Sequence, residues 1–320
     1  MKKFFFFCSL TFLMFFATSC RRIDKDIEIK DLDGALYSAE ISDEKILFSI
    51  QDLNTKNINN RKMKSAQLKK GDFIHAYSPS GKYAVIKSKN GENTDKLFSF
   101  LDLKIVELEK ARTELIGETK DKLYMANYSD SSVTFFSVNK ESKEIKEISG
   151  SISLEEDFLL TKATYDMNST NLYFSYTNMG KSYIATFQKG ALEILMEMDE
   201  MYTDFCLINL EKEIWYAGYN NASAPYLFLP KIIQIQQEHI VSSQVVESMK
   251  DEMSLHSCFI FENNTVLIFQ SGMSVYLYIY KNDLLSSKEQ LQNFDLKSTQ
   301  IIDDYLYLFD GENNYSMKVR

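Results

Sequence analysis

The chain has 320 residues and a formal net charge of −9, with 13% aromatic residues and only 3 prolines. An acidic chain is repelled by nucleic acid and by anionic lipid head groups, so we expect neither to bind its surface directly. The many Phe and Tyr residues favour β-strands, because aromatic side chains fit a half-buried pleated surface, and the length allows one large core or two smaller ones.

The first predicted element is an export signal at residues 1–19. Lys2 and Lys3 precede an uncharged apolar stretch, 4–16. This stretch is shorter than the roughly 20 residues that a bilayer-spanning helix needs, and it is typical of a signal peptide. Removal of 1–19 would change the net charge from −9 to −11, because the segment carries two lysines and no acid.

A cysteine directly follows three small residues, Ala17, Thr18 and Ser19. This run resembles the lipobox of bacterial lipoproteins, although that family usually has Leu where Ala17 stands. The resemblance implies that Cys20 carries a diacylglyceryl group and further acyl chains such as palmitate, and that cleavage leaves Cys20 at the start of a tether, 20–26. The alternative is an ordinary cleavage site that releases a soluble product.

The lipoprotein resemblance implies a location in the cell envelope, with the lipid as the only contact to the membrane. Arg21 follows Cys20, and this resembles lipoproteins that double-membrane bacteria send to the outer membrane. Several acyl chains anchor firmly, because each buried methylene contributes about 0.8 kcal/mol.

Residues 27–320 are predicted to form one all-β domain built from a repeat. A short apolar and aromatic strand recurs seven times at intervals of 37 to 52 residues, and its equivalent positions are Ile46, Tyr83, Leu123, Leu172, Ile214, Val266 and Leu306. Four-stranded propeller blades repeat at about 40–50 residues. We therefore predict a β-propeller of seven blades; six or eight blades, a two-sheet sandwich and two β domains are the alternatives.

One turn carries a more specific signal. The segment SPSGKYAV, 78–85, resembles the turn of TolB-type and WD40-like propellers, with Ser80 where those families usually have Asp. The resemblance implies a propeller hairpin at this position.

The order of strands within a repeat is also readable. An inner strand, a core strand, a third strand and a charged outer strand follow one another, and 143–148 shows the alternation of charged and apolar residues expected at an edge. The last repeat has about three strands before Arg320. We predict that Ile27–Lys30 supplies its missing strand and closes the ring.

Two cysteines, Cys206 and Cys258, lie eight residues before the equivalent positions of their repeats. In a propeller they would occupy matching places on neighbouring inner strands. Inner strands converge toward the axis and an exported protein meets oxidising conditions, so a disulfide between them is one hypothesis. The alternative is a pair of buried thiols.

The same offset selects residues that would surround the axis in the other repeats: Ser38, His75, Leu115, Thr164 and Ser298. Such a small or polar ring suits either a crowded axis or a polar pocket, and we favour packing. The three histidines, His75, His239 and His256, have no metal-ligand spacing and are interpreted as structural.

The sequence contains no catalytic signature. The usual hydrolase, nucleotide-binding and zinc-protease motifs are absent from it, and its acidic pairs stand beside turns. We therefore predict no catalytic residue, no metal site and no cofactor.

The candidate binding rim consists of three tyrosines, Tyr216, Tyr219 and Tyr226, around the uncharged loop 220–225. Tyrosines on a rigid scaffold are effective recognition residues because they offer contact area at low entropic cost. The alternative is that they belong to the core.

The function predicted from these features is a lipid-anchored, non-catalytic propeller that binds a protein or glycan partner across one face. The alternative is an envelope enzyme that acts on glycans or lactones in the axial channel. A third hypothesis is a component of an outer-membrane assembly machine.

Overall fold

The computed structural model describes residues 35–319 except for 43, 53–57, 90–93, 161–162, 167–170, 200–203, 210–213, 219–230, 237–238, 246–253, 262–263, 283, 303–304 and 311–312. The elements in the described part are all strands. The predicted signal peptide, the tether with Cys20 and the closing strand Ile27–Lys30 lie outside the described residues and stay predictions.

The described strands form six sheets, one of which has eight strands and spans two of the predicted repeats. In chain order the strands fall into seven consecutive groups that follow the predicted repeats, and the number of blades stays a prediction. The first three groups are β1 (Ala35–Ser42), β2 (Lys45–Asp52) and β3 (Ile58–Lys64); β4 (Asp72–Tyr77), β5 (Tyr83–Ser88), β6 (Lys96–Ser99) and β7 (Lys104–Glu107); and β8 (Thr113–Glu118), β9 (Lys122–Tyr128), β10 (Ser132–Asn139) and β11 (Ile145–Ser153). The fourth contains β12 (Leu159–Leu160), β13 (Thr164–Asp166), β14 (Tyr173–Asn178), β15 (Lys181–Gln188) and β16 (Ala191–Met198).

The last three groups continue the same order. They are β17 (Asp204–Asn209), β18 (Ile214–Gly218), β19 (Lys231–Gln236) and β20 (His239–Val245); β21 (Ser254–Phe261), β22 (Asn264–Ser271), β23 (Ser274–Lys281) and β24 (Leu284–Gln292); and β25 (Ser298–Ile302), β26 (Tyr305–Phe309) and β27 (Asn314–Lys318). The predicted repeat positions fall on the second hairpin strand of their groups, or directly before it for Leu172.

Burial follows the predicted order of strands. The second strand of a group is apolar and largely buried, as in β5, where Tyr83 to Ile86 are at most 2% exposed. The outer strand β24 is mostly exposed and carries charges. This gradient arises because only the inner three strands of a group are covered on both faces by neighbouring groups.

Apolar clusters join neighbouring groups from the second to the seventh. One cluster unites Val85 of the second group with Met125 of the third, and another unites Val266 of the sixth with Leu308 of the seventh. Strand β1 contacts β25 and β26 of the last group. Since no single sheet can bury both of its apolar faces alone, this side-by-side packing supplies the core.

The turn at 78–85 has the geometry of a tight hairpin. The Gly81 amide donates to the Ser78 carbonyl at 2.8 Å, and Gly81 has a φ of +71°. The Ser80 hydroxyl donates to Oε1 of Glu118 at 2.8 Å, and the Ser80 amide donates to Oε2 at 2.8 Å. A serine suits this position better than the family's aspartate, because an aspartate would place a second carboxylate against Glu118.

The inner strand of the fourth group is divided between two sheets. Its first part, β12, pairs antiparallel with β14, whereas β13 pairs in parallel with β21 of the sixth group. Strand β13 therefore leaves its own sheet and lies along another group's inner strand. This arrangement was not anticipated from the repeat, which treats all inner strands as equivalent.

Candidate binding cleft between two strand edges

The inner-strand positions lie where the repeat predicted them. His75 is on β4, Leu115 on β8, Cys206 on β17 and Cys258 on β21, each the first strand of its group. Cys206 and Cys258 pack in one apolar cluster. They are buried thiols with no disulfide between them, and Sγ of Cys258 donates to the Leu207 carbonyl at 3.4 Å. The structure therefore corresponds to the thiol alternative.

The candidate tyrosine rim has one member in the described residues. Tyr216 is 2% exposed, and its ring meets Phe269 edge-on with 5.4 Å between centroids. Tyr216 is thus a core residue and is not available as a surface contact, because β18 is the buried second strand of its group. Tyr219 and Tyr226 lie outside the described residues.

Two histidines face a cavity of about 270 Å³ between inner strands. His75 and His256 line it together with Tyr77, Leu115 and Ala163. Nε2 of His75 lies 2.8 Å from Oε2 of Glu114. Among the described residues, no group of three His, Cys, Asp or Glu side chains is placed to hold a metal ion.

A larger cleft of about 620 Å³ opens beside this cavity. It is built by the start of β8, the end of β5, the connection into β6 and the strand β12. The residues that line it include Lys87, Asp95, Arg112, Glu114, Leu115, Tyr128, Phe158, Leu159 and Leu160. The volume lies in the range of ligand sites, about 300–1,000 Å³.

A charged network runs along one wall of the cleft. Glu114 on β8 accepts a hydrogen bond from Lys87 of β5 through Oε1 and contacts His75 of β4 through Oε2. Burial acts to raise the pKa of Glu114, but the hydrogen bonds from His75 and Lys87 outweigh it and hold that pKa below its ordinary value. Glu114 is therefore a paired carboxylate anion, a poor general base at neutral pH.

A second carboxylate closes one end of the same wall. Asp95 is 3% exposed, and its Oδ2 accepts a hydrogen bond from the Thr113 amide at 2.6 Å. Burial raises the pKa of Asp95, and the Thr113 amide and the charge of Lys87 counteract part of the rise. The carboxylate thus acts as a backbone cap at the beginning of β8.

The opposite wall is aromatic and apolar. Phe158 meets Tyr128 edge-on at 6.1 Å between centroids and lies 5.9 Å from the Tyr176 ring. Burial raises the pKa of the Tyr128 hydroxyl, and the nearby charge of Glu114 adds to this effect. Leu159 is 46% exposed at the mouth of the cleft. Such a combination of an apolar wall and fixed polar groups is typical of a recognition site.

The cleft was missed in the sequence because its residues are scattered along 74 positions from Lys87 to Leu160. The sequence gives a partial indication of the cleft, because the repeat offset selects Leu115, the residue directly after Glu114. Placing His75 and Glu114 on adjacent inner strands would have indicated a His–Glu contact. The position of β12 had no such signal, because it depends on the division of an inner strand between two sheets.

The structural comparisons agree with the observed fold. No protein-family model matches the chain, and no curated protein matches it. The β-propeller domain of Nup133 from Vanderwaltozyma polyspora is similar, with 10% identity and a TM-score of 0.53 over 94% of this chain and 97% of that one. The WD40 domain of Toxoplasma gondii coronin has 12% identity and a TM-score of 0.51, over 92% and 82%.

TolB from Acinetobacter baumannii is a more distant neighbour, at 8% identity and a TM-score of 0.46 over 91% of this chain and 83% of that one. Identities this low bear on fold alone. The chain is an all-β propeller. Within the part of the chain that the structure describes, no helix is long and apolar enough to cross a membrane.

Proposed function

We propose that this chain is a lipid-anchored envelope propeller that binds a protein partner, without catalysis, through the cleft beside β8. The observation that carries this proposal is the joining of an apolar aromatic wall to a wall of internally paired charges in one open cleft. Charges that already have partners offer fixed recognition groups and little reactivity.

The anchor is supported by the Ala17–Cys20 run alone. Its test is metabolic labelling with an alkyne analogue of palmitate, followed by fractionation of intact cells. We expect the wild-type chain to be labelled and membrane-bound, and the Cys20→Ser variant to be unlabelled and lost from the membrane fraction. Equal labelling of both chains would contradict the anchor.

The binding role is tested by photo-crosslinking in living cells. A benzophenone amino acid replaces Leu159, which is 46% exposed at the cleft, or Leu284, which is 71% exposed on the outer strand β24. We expect a discrete protein adduct from position 159 and none from position 284. Adducts of equal yield from both positions, or no adduct from 159, would refute a protein site at the cleft.

A catalytic role is the second candidate, because His75 and His256 face one cavity. In that case His256, whose Nδ1 lies 3.0 Å from Oγ of Ser257, would contact a glycan or lactone substrate. Turnover of a panel of cell-wall glycans and lactones that is abolished by His256→Ala would establish the enzyme. Under the binding proposal no turnover is expected, and His256→Ala leaves the adduct at position 159 intact.

A further inference from the structure

We infer that the cleft binds an extended peptide segment of its partner, which adds as a strand between the edges of β8 and β12. This inference rests on the proposed binding function and specifies the form of the ligand. The order of the strands in one sheet is the first observation that supports it. Strands β12 to β8 form one eight-stranded sheet, and β12 and β8 stand at its two ends.

Both end strands line the same cleft. Glu114 and Leu115 come from β8, and Leu159 and Leu160 come from β12. An edge strand presents a row of backbone N–H and C=O groups, and these are a template for another extended chain. Two such edges that face one cleft make a site for main chain rather than for a compact small molecule.

The two edges meet at one end of the cleft. The Ala163 amide, just beyond β12, donates to the Ile116 carbonyl of β8 at 2.9 Å. Gly117 permits this approach, because a Cβ at that position would lie 2.8 Å from Cβ of Ala163. One strand-like hydrogen bond therefore already joins β8 to the chain just beyond β12, whereas Leu115 of β8 and Leu159 of β12 border the cleft.

Asp95 shows which way the edge of β8 is oriented. Its carboxylate accepts the Thr113 amide at 2.6 Å, as the carbonyl of a neighbouring strand would. Backbone groups of an antiparallel strand alternate between its two sides, and Leu115 pairs with Met125 just as Thr113 pairs with Asn127. The Leu115 amide is thus directed to the same side as the Thr113 amide, into the cleft.

The charge of the cleft favours a neutral occupant. The formal charges of Lys87 and Arg112 cancel those of Asp95 and Glu114, and both oxygens of Glu114 have partners. The chain as a whole has a net charge of −9 and repels acidic segments. The uncharged dipoles of a main chain, with apolar side chains toward Phe158 and Tyr128, complement this lining.

The test uses the purified full chain and a displayed library of random 12-residue peptides. Selected peptides are synthesised with a single N-methyl group at each backbone amide in turn. We expect N-methylation at alternate positions to weaken binding about three- to tenfold, because each removes one backbone hydrogen bond, and the intervening positions to have little effect. Phe158→Ala should weaken binding, whereas Met273→Ala, in an exposed turn of another group, should not.

Hydrogen exchange supplies a second readout that does not depend on a variant. Bound peptide should slow exchange at the Leu115 amide and within 159–160, and leave 274–281 unchanged. N-methylation effects without alternation, or protection elsewhere, would overturn strand addition. If no peptide is selected, strand addition fails, while an adduct at position 159 in cells would still uphold the protein-binding function.

Discussion

The junction between the second and third groups differs in chemistry from the junction between the sixth and seventh. At the first, an apolar cluster that includes Val85 and Met125 is supplemented by an ionic network. The buried carboxylate of Glu118 bridges Ser80 of the β4–β5 turn and Lys140, which follows β10, with 2.5 Å between its Oε1 and the Lys140 Nζ. At the second, the shared core consists of apolar side chains, among them Val266, Leu277 and Leu308.

The difference shows that junctions of the same repeat differ in how strictly they require particular residues. An apolar junction depends on buried area and is tolerant of which apolar residue supplies it. A polar junction depends on particular partners in particular places, because a buried group that loses its partner keeps its desolvation cost. The ionic network of Glu118 lies at the end of β8, whereas Glu114 and Leu115 near the start of the same strand line the cleft.

The largest expected effect comes from breaking the ionic junction. Glu118→Ala leaves the Ser80 amide and hydroxyl and the Lys140 ammonium without their carboxylate, and should lower the free energy of unfolding by about 3–5 kcal/mol. Urea denaturation measures it. Glu118→Gln is the matched control, since it retains an acceptor oxygen, and it should cost less. An alanine variant as stable as wild type would show that the network adds nothing.

Shortening a side chain in the apolar junction should lower the free energy of unfolding slightly less than Glu118→Ala does. Leu308 is fully buried between the last two groups, and Leu308→Ala should lower the free energy of unfolding by about 2–5 kcal/mol through lost transfer energy and a cavity. Leu308→Met, of similar volume, should cost less than about 1.5 kcal/mol. If Met were as harmful as Ala, volume would not be the determinant of this junction.

The smallest effect is a dependence of stability on alkaline pH at the contact between the first two groups. The Tyr77 hydroxyl donates to the Ala39 carbonyl at 2.8 Å and accepts from the Ala39 amide at 2.9 Å. Burial raises its pKa from 10.0 to about 12; the Ala39 bond opposes this rise and the charge of Glu40 adds to it.

The unfolded chain therefore loses this proton before the folded one does. The contribution of Tyr77 is complete below pH 10 and is lost as the pH rises toward 12, by about 2–3 kcal/mol at 1.36 kcal/mol per pKa unit. Denaturation at pH 9 and pH 11.5 measures this, with Tyr77→Phe as the control that shows a shallower decline. An equal decline in both chains would assign it to other tyrosines.

Much of the fold was readable from the repeat. Tyr83 and Val266 lie on second strands because a continuous apolar run has to be buried on both faces of its sheet. Cys206 and Cys258 share a cluster because equal offsets mean equal places in neighbouring groups. The contacts His75–Glu114 and Ser80–Glu118 join residues 39 and 38 positions apart, about one repeat.

The cleft was not readable in the same way. The residues around Tyr216 do not show whether its side chain is buried or exposed. Its position on β18, the buried second strand of its group, places it in the core. The inner strand of the fourth group is divided because β12 pairs with β14 whereas β13 pairs with β21 of another group. No local sequence pattern indicates which of these partners a residue takes.

By itself the sequence determined an acidic, all-β repeat chain with its core on the second strands, because the period and the continuous apolar runs are local properties. Tertiary structure alone decided which edges come together at the cleft and which charges pair there. Those contacts link residues far apart along the chain, and their geometry follows from how whole sheets pack around one another.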